Sequence, residues 1–371
     1  VIFNSISQHY PDWVNFAPKL MQWYDSNGRN LPWRLANNPY HIWVSEIILQ
    51  QTRVNQGLPY YHNFLIAFPT VAHLANASKE ELLKVWQGLG YYSRAINMHK
   101  AAKIIVNDYK GVFPLTFKQW LALPGVGNYT AAAISASALG IPIVAIDTNV
   151  KRFLSRLLAY DENVQGINSS LSLQQIADTL LADENPGRFN QALMDYGAMV
   201  CKATNPLCSS CVFTEKCFAY QRSAVGEFPA KTKAVVRKKR FFYFIQLCIY
   251  DNHSKMHFYA YQRTGNDIWK YLYELPLIET SEVVSMDELL SLSDWGQIRA
   301  FCKSADSCQM SKPVRHILTH QIIEARKISL VCNRFNLDEI PENWIKVDQE
   351  TFAKLPIHRL IAKLMLVSDS S

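Results

Sequence analysis

Four cysteines within 17 positions, Cys201, Cys208, Cys211 and Cys217, constrain this chain more than any other feature. Their spacing, Cys201-x6-Cys208-x2-Cys211-x5-Cys217, starts at the end of a helical pattern and continues into a loop. Thiolates that must converge on one small inorganic centre need short loops, and a two-residue gap suits tetrahedral sulfur ligation. Zinc and an iron–sulfur cluster both meet that description, although zinc usually presents paired two-cysteine knuckles or histidine partners. The tract from Val1 to Ser5 has neither the basic nor the apolar region of a secretion signal. Disulfides are disfavoured in a reducing compartment, so a tight cysteine cluster points to metal. Cys248, Cys302, Cys308 and Cys332 are scattered through the second half and read as ordinary residues.

At 371 residues the chain exceeds one typical core, and two domains are expected. With 49% apolar and 19% charged residues it is a soluble globular chain rather than a disordered one. No apolar run approaches the roughly 18–20 residues that span a bilayer. A net charge of +7 is compatible with a polyanionic partner without requiring one. Up to about residue 217 the pattern is helical. Asn38-Pro39 reads as a cap with proline at the first helical position, opening a run from Tyr40 to Val54. Ser78 and Glu81 form a capping box, and further helices are expected at about 91–109, 117–122, 129–138, 148–160, 171–183 and 188–201. Six of the ten residues from Lys231 to Arg240 are Lys or Arg, which suits either a solvated linker or a basic strap along a phosphate backbone. Beyond 241, Phe241–Tyr250, Met256–Tyr261 and Ile328–Val331 have the aromatic and β-branched content of strands, with an acidic helical stretch at 281–293. This half reads as an α+β domain.

Two further features carry chemistry. In Leu123-Pro124-Gly125-Val126-Gly127-Asn128-Tyr129-Thr130-Ala131, two glycines two apart permit a tight turn whose amides open the next helix. Such a helix start can receive a phosphate oxygen; a plain helix–turn–helix corner would carry the same glycines. Twenty residues on, Asp147 follows an apolar run at a helix start, where it serves as an N-cap and where the ionised form is favoured. Glu46 sits in an apolar helix, where burial raises a carboxyl's pKa and makes a proton donor, unless the residue is salt-bridged or turned outward.

Several motifs then resemble known enzymes. The cysteine spacing and the string L-P-G-V-G-x-x-T-A resemble the cluster loop and helix-hairpin-helix of the endonuclease III superfamily of DNA glycosylases. V-S-E-I-I-L-Q-Q-T-R-V around Glu46, with Leu31-Pro32-Trp33-Arg34 before it and Gly88-Leu89-Gly90-Tyr91-Tyr92-Ser93-Arg94 after it, resembles MutY-type adenine DNA glycosylases. The resemblance implies a [4Fe-4S] cluster on Cys201, Cys208, Cys211 and Cys217. It implies Glu46 and Asp147 as catalytic acids supported by Tyr129 and Asn149. It assigns DNA contacts to Arg34, Gln51, Thr52, Leu89 and Tyr91, with Gln51 and Tyr91 as wedges, and to Gly125, Val126, Gly127 and Thr130 of the hairpin. Bifunctional relatives carry a lysine two residues after the hairpin's last glycine; this chain has Tyr129 there, which cannot form a Schiff base, so a monofunctional glycosylase is implied.

In the second half, Trp269 to Pro276 resembles the W-x-x-L-Y-x-x-P segment of the family's Nudix-like domain, without a full Nudix box. Where the family's lesion-sensing loop carries F-S-H this chain has Leu318-Thr319-His320, losing the aromatic ring and keeping a hydroxyl and an imidazole. The expected architecture is therefore multidomain. An all-α helix-hairpin-helix core with an iron–sulfur loop spans residues 1–221, a basic linker 222–240, and an α+β Nudix-like lesion-recognition domain 241–371. The resemblance implies a monomer acting on double-stranded DNA that holds an adenine:8-oxoguanine mispair, away from any membrane, in the bacterial cytoplasm at the nucleoid.

Overall fold

A computed structural model of the chain describes residues 15–35, 38–160, 172–230 and 236–367. The readings made for Val1 to Ser5 and for positions 231–235 of the basic segment lie outside them. The chain divides into two compact units, Val1–Asn76 with Asn97–Lys233, and Ala77–Ile96 with Ala234–Ser371. The stretch from 77 to 96 groups with the strand-rich half, an arrangement that boundaries read along the sequence do not contain.

The helices run α1 (Phe16–Asn27), α2 (Pro32–Leu35), α3 (Pro39–Leu49), α4 (Val54–Ala67), α5 (Val71–Asn76), α6 (Lys79–Val85), α7 (Ser93–Asn107), α8 (Phe117–Leu121), α9 (Asn128–Leu139), α10 (Thr148–Leu158), α11 (Leu173–Leu180), α12 (Pro186–Met199) and α13 (Phe218–Gln221). Local signals account for many of their starts. Asn38 accepts from the Tyr40 amide with Pro39 at the first position, and Ser78 and Glu81 close a capping box. The run expected from Tyr40 to Val54 is instead broken. Gln50 turns to ψ 115, Gln51 takes the left-handed φ of 60, and α4 starts afresh at Val54.

In the first unit α9 is apolar round its circumference, with Thr130 to Ala136 buried, as expected of a helix packed on every side. It packs against α3 and α12. An aromatic cluster of Phe16, Phe153, Phe189, Tyr196 and Phe213 ties α1, α10 and α12 to the cysteine loop.

The second unit is built on one mixed sheet. Its strands are β1 (Lys238–Tyr250), β2 (Met256–Gln262), β3 (Tyr273–Glu274), β4 (Leu277–Thr280), β5 (Cys302–Met310), β6 (Val314–Ile317), β7 (Gln321–Phe335) and β8 (Trp344–Val347). The order is β3-β2-β1-β7-β5, with β4 also on β1, β6 on β7 and β8 on β2. Only β1 and β7 pair in parallel among the described strands, from Lys238 opposite Gln321 to Cys248 opposite Val331. The two-residue period of β1 sends Phe242 and Phe244 to one face, against Phe352, Leu360 and Ile361, and Tyr243, Ile245 and Leu247 to the other, against Leu289, Trp295 and Ile298. Helices thus cover both faces. The acidic stretch forms only Met286–Ser291, followed directly by Ser293–Phe301.

One expectation is overturned here. Cys302 and Cys332 are joined in a disulfide, because antiparallel pairing of β5 with β7 brings their Cα atoms to 5.8 Å. Among the described residues no helix is long and apolar enough to cross a membrane.

Candidate active site

The extended segment before α10 is pinned from two other helices. Asp178 of α11 accepts from the Val144 amide at 2.7 Å, and Asn190 of α12 bridges the Ala145 amide and the Ile143 carbonyl at 2.8 and 2.9 Å. This fixes the residue that follows. Asp147 caps α10, its Oδ1 accepting from the Val150 amide at 2.6 Å and its Oδ2 from Asn149 Nδ2 at 2.8 Å. Asn149 Oδ1 in turn accepts from Arg152 Nη2 at 2.9 Å. Gly197 lets α12 approach this point, since a Cβ there would lie 2.6 Å from the Asn149 carbonyl oxygen.

Glu46 lies on α3 between buried neighbours Val44, Ser45, Ile47 and Ile48. It shares with Asp147, Tyr129, Asn149, Arg34, Gln51 and Thr52 one cavity of about 1070 Å³, and keeps accessible surface because it faces that space. Burial, with the Asp147 charge adding to it, pushes its carboxyl up to about 7; the Tyr129 hydroxyl and the Arg34 charge oppose this without overcoming it. Burial first, then the two carboxylates, hold the Tyr129 phenol well above its usual range, so it remains a donor. The cavity therefore offers a carboxyl able to hold a proton near neutrality and a carboxylate anchored by two donors.

Other expected site residues divide. Gln51 and Tyr91 are exposed and take left-handed φ of 60 and 47, two of ten non-glycine residues at positive φ among the described residues. Thr52 lines the cavity. Gly125 sits at φ 78 with Asn97 Cβ only 2.7 Å from where a Cβ would stand, and Gly127 starts α9 with no side chain over its first amides. Four residues expected at DNA are turned inward. Leu89 is buried, and so is Val126, whose amide bonds the Leu123 carbonyl at 3.1 Å. Thr130 is buried too, and its Oγ1 accepts from Gln50 Nε2 at 3.1 Å. Arg34 forms a two-bond ion pair with Asp195, both contacts at 2.8 Å, which occupies its guanidinium within the protein.

In the second unit Leu318 to His320 form the turn between β6 and β7, closed by the Leu318 amide on the Gln321 carbonyl at 2.8 Å. Leu318 packs inward on the sheet core, whereas Thr319 and His320 are exposed. The Thr319 hydroxyl is hydrogen-bonded to the Tyr91 hydroxyl.

Cys201, Cys208, Cys211 and Cys217 line one small cavity at the end of α12. Tyr196 Oη donates to Cys211 Sγ at 3.0 Å, and Arg156 Nη1 to Cys201 Sγ at 3.5 Å. Among the described residues no group of three or more His, Cys, Asp or Glu side chains is gathered as for a single metal ion. The donor set is all sulfur, with hydrogen-bond donors aimed at two of its members, which fits a cluster held by thiolates.

Sequence reasoning missed Asp195, Asn190, Asp178 and the arginines 29, 152 and 156, which hold the site together. Asp195 carried a usable signal, being an acid in the otherwise apolar helical run Ala192 to Ala198, the signal that singled out Glu46.

Residues 44–177 match the family described as HhH-GPD superfamily base excision DNA repair protein. The chain is 36% identical over 268 residues to an adenine DNA glycosylase of Buchnera aphidicola subsp. Schizaphis graminum, covering 71% of this chain and 75% of that one. It is 30% identical over 325 residues to the adenine DNA glycosylase of Buchnera aphidicola subsp. Baizongia pistaciae, covering 87% and 88%. It is similar to the solved structure of a thermostable thymine-DNA glycosylase, with a TM-score of 0.53 and 28% identity over 58% of this chain and 99% of that one.

Proposed function

The chain belongs to the adenine DNA glycosylases of the helix-hairpin-helix superfamily, enzymes of base-excision repair, and from that premise we propose a monofunctional enzyme that hydrolyses the N-glycosidic bond of adenine mispaired with 8-oxoguanine or guanine. The observation that carries this reading is one cavity in which Glu46 and Asp147 sit in unlike surroundings. An adenine inside a duplex is unreachable, so it must be flipped into that cavity. Protonation of adenine N7 by Glu46 turns the base into a neutral leaving group as the C1′–N9 bond breaks. The cationic sugar left behind is held by the Asp147 carboxylate, as an ion pair or a transient covalent partner. Water then adds to C1′, giving its proton to the Glu46 carboxylate. Tyr129 and Asn149 support the two acids, and Tyr129 offers no amine for a Schiff base from that position.

Gln51, which lines the cavity, acts as a wedge into the duplex, and Tyr91 has a wedge role of its own. Thr52 faces the same cavity. The exposed glycines 125 and 127 offer α9's first amides to a phosphate. The second unit serves as a Nudix-like lesion-recognition domain, in which Thr319 and His320 hydrogen-bond 8-oxoguanine. A [4Fe-4S] cluster on Cys201, Cys208, Cys211 and Cys217 would clip the loop after α12 and present basic backbone to DNA, taking no part in bond breaking. The test is single-turnover adenine release from duplexes carrying adenine opposite 8-oxoguanine, guanine, cytosine and thymine, before and after Thr319→Ala with His320→Ala. We expect release opposite 8-oxoguanine and guanine, with the preference for 8-oxoguanine diminished in the double variant; an unchanged ratio would remove the lesion-sensing role from the turn.

A further inference from the structure

A permanent cation beside the residue that must donate a proton works against it, and Arg34 is such a cation. It lines the Glu46 cavity, and its charge bears on Glu46 without a hydrogen bond between them. Its fork is closed on another acid. Nη1 and Nη2 reach the two oxygens of Asp195, while Nη1 also bonds the Arg29 carbonyl at 2.9 Å. Asp195 is fully buried on α12 and takes further bonds from the Arg29 amide and Nε, both at 2.9 Å. Burial works to raise its carboxyl, but the two arginines outweigh burial and hold it low, so it stays ionised. Tyr24 is the remaining titratable group against Arg34, and Tyr129 and Asp147 are the others facing Glu46.

We propose that Asp195 is a positioning residue for the reaction: it binds the Arg34 guanidinium in a fixed two-bond fork, so that Arg34 walls the cavity without forming an ion pair with Glu46. Two carboxylates compete for one guanidinium, and the fully buried, doubly bonded one wins. Without the charge at 195, Glu46 is the remaining carboxylate whose charge bears on Arg34 across the shared cavity, and its ionised form is favoured. This rests on the reading of Glu46 as proton donor, and the experiment separates the two.

Single-turnover adenine release is measured from pH 5.5 to 8.5 for Asp195→Asn, Arg34→Met and the double variant, and the Glu46 carboxyl is titrated by NMR in chain labelled with 13C-glutamate, assigned with Glu46→Gln. Asp195→Asn is expected to lose about tenfold or more at pH 8 and about threefold or less at pH 5.5, because the ionised donor is re-protonated at low pH. The Glu46 titration moves down with it, and the double variant recovers the pH profile of Arg34→Met. An equal loss at every pH with the titration unmoved, or no recovery in the double variant, overturns the proposal. Should Asp195→Asn not fold, Arg34→Lys decides, since a lysine cannot close the fork on both oxygens: the titration moves down if the proposal holds, and an unmoved one overturns it. Adenine release that survives Glu46→Gln removes Glu46 as donor, while the NMR titration still reports on Asp195.

Discussion

Replacing Glu46 with glutamine keeps the side chain's size and removes its ionisation, so folding stability reports the acid's surroundings apart from catalysis. The carboxyl is held at about 7 against an ordinary 4.5, mainly by burial. A carboxyl raised on folding binds its proton more tightly in the native chain than in the unfolded one. Stability is therefore fully retained below about 4.5, falls as pH rises towards about 7, and carries the whole penalty above that. At about 1.4 kcal/mol for each pH unit in that window the penalty has a ceiling of about 3 kcal/mol, which solvent entering the open cavity lowers. For a helical unit of this size that ceiling corresponds to about 6–12 °C in Tm. Thermal unfolding of parent and Glu46→Gln between pH 4 and 8.5 measures it. The two should coincide near pH 4, and the variant should be the more stable above pH 7. Coincident Tm values across the range, or a parent that gains on the variant above pH 7, would refute the idea that this acid is buried against its ionisation.

Asp147→Asn should reduce single-turnover adenine release by roughly a thousandfold, yet shift stability by less than about 1 kcal/mol because asparagine still caps α10; a Tm loss parallel to the activity loss would mark Asp147 as structural. If Cys217 holds the proposed cluster, Cys217→Ser should lower the iron and sulfide content of the purified chain and weaken duplex binding at fixed salt before it slows base release, and normal affinity with slowed release would overturn that proposal.

What could be read in the sequence were features whose partners lie within a few residues. Asn38 with Pro39, Ser78 with Glu81, and Asp147 with the amide of Val150 are local pairs, and all three form. The hairpin glycines were legible because a φ of 78 at Gly125 excludes most other residues. Features settled by distant partners were not legible. Arg34 meets Asp195 across 161 positions, a pairing that no local motif announces. Cys302 and Cys332 become neighbours only once β5 pairs with β7. The break after Leu49 is local, yet no proline or glycine marks it, and Gln51 carries the left-handed turn.

The two acids owe their different characters to what binds their oxygens, not to their residue type. Both oxygens of Asp147 accept from donors fixed in the first turn of α10, which hold the carboxyl group in one orientation. On the proposed mechanism that orientation places the side chain where positive charge builds on a sugar. Glu46 has no helix start beneath it and lies in a buried wall, where burial first, and the Asp147 charge with it, raise its proton affinity. Held near neutrality, the carboxyl loses little driving force in either direction. It can give a proton to a departing base and, as a carboxylate moments later, take one from water. A stronger acid would be empty when the base needed its proton, and a weaker one would fail to release it. The Asp195 fork and the Asp147 cap thus act on one requirement from two sides, keeping a guanidinium off the first acid and amide donors on the second.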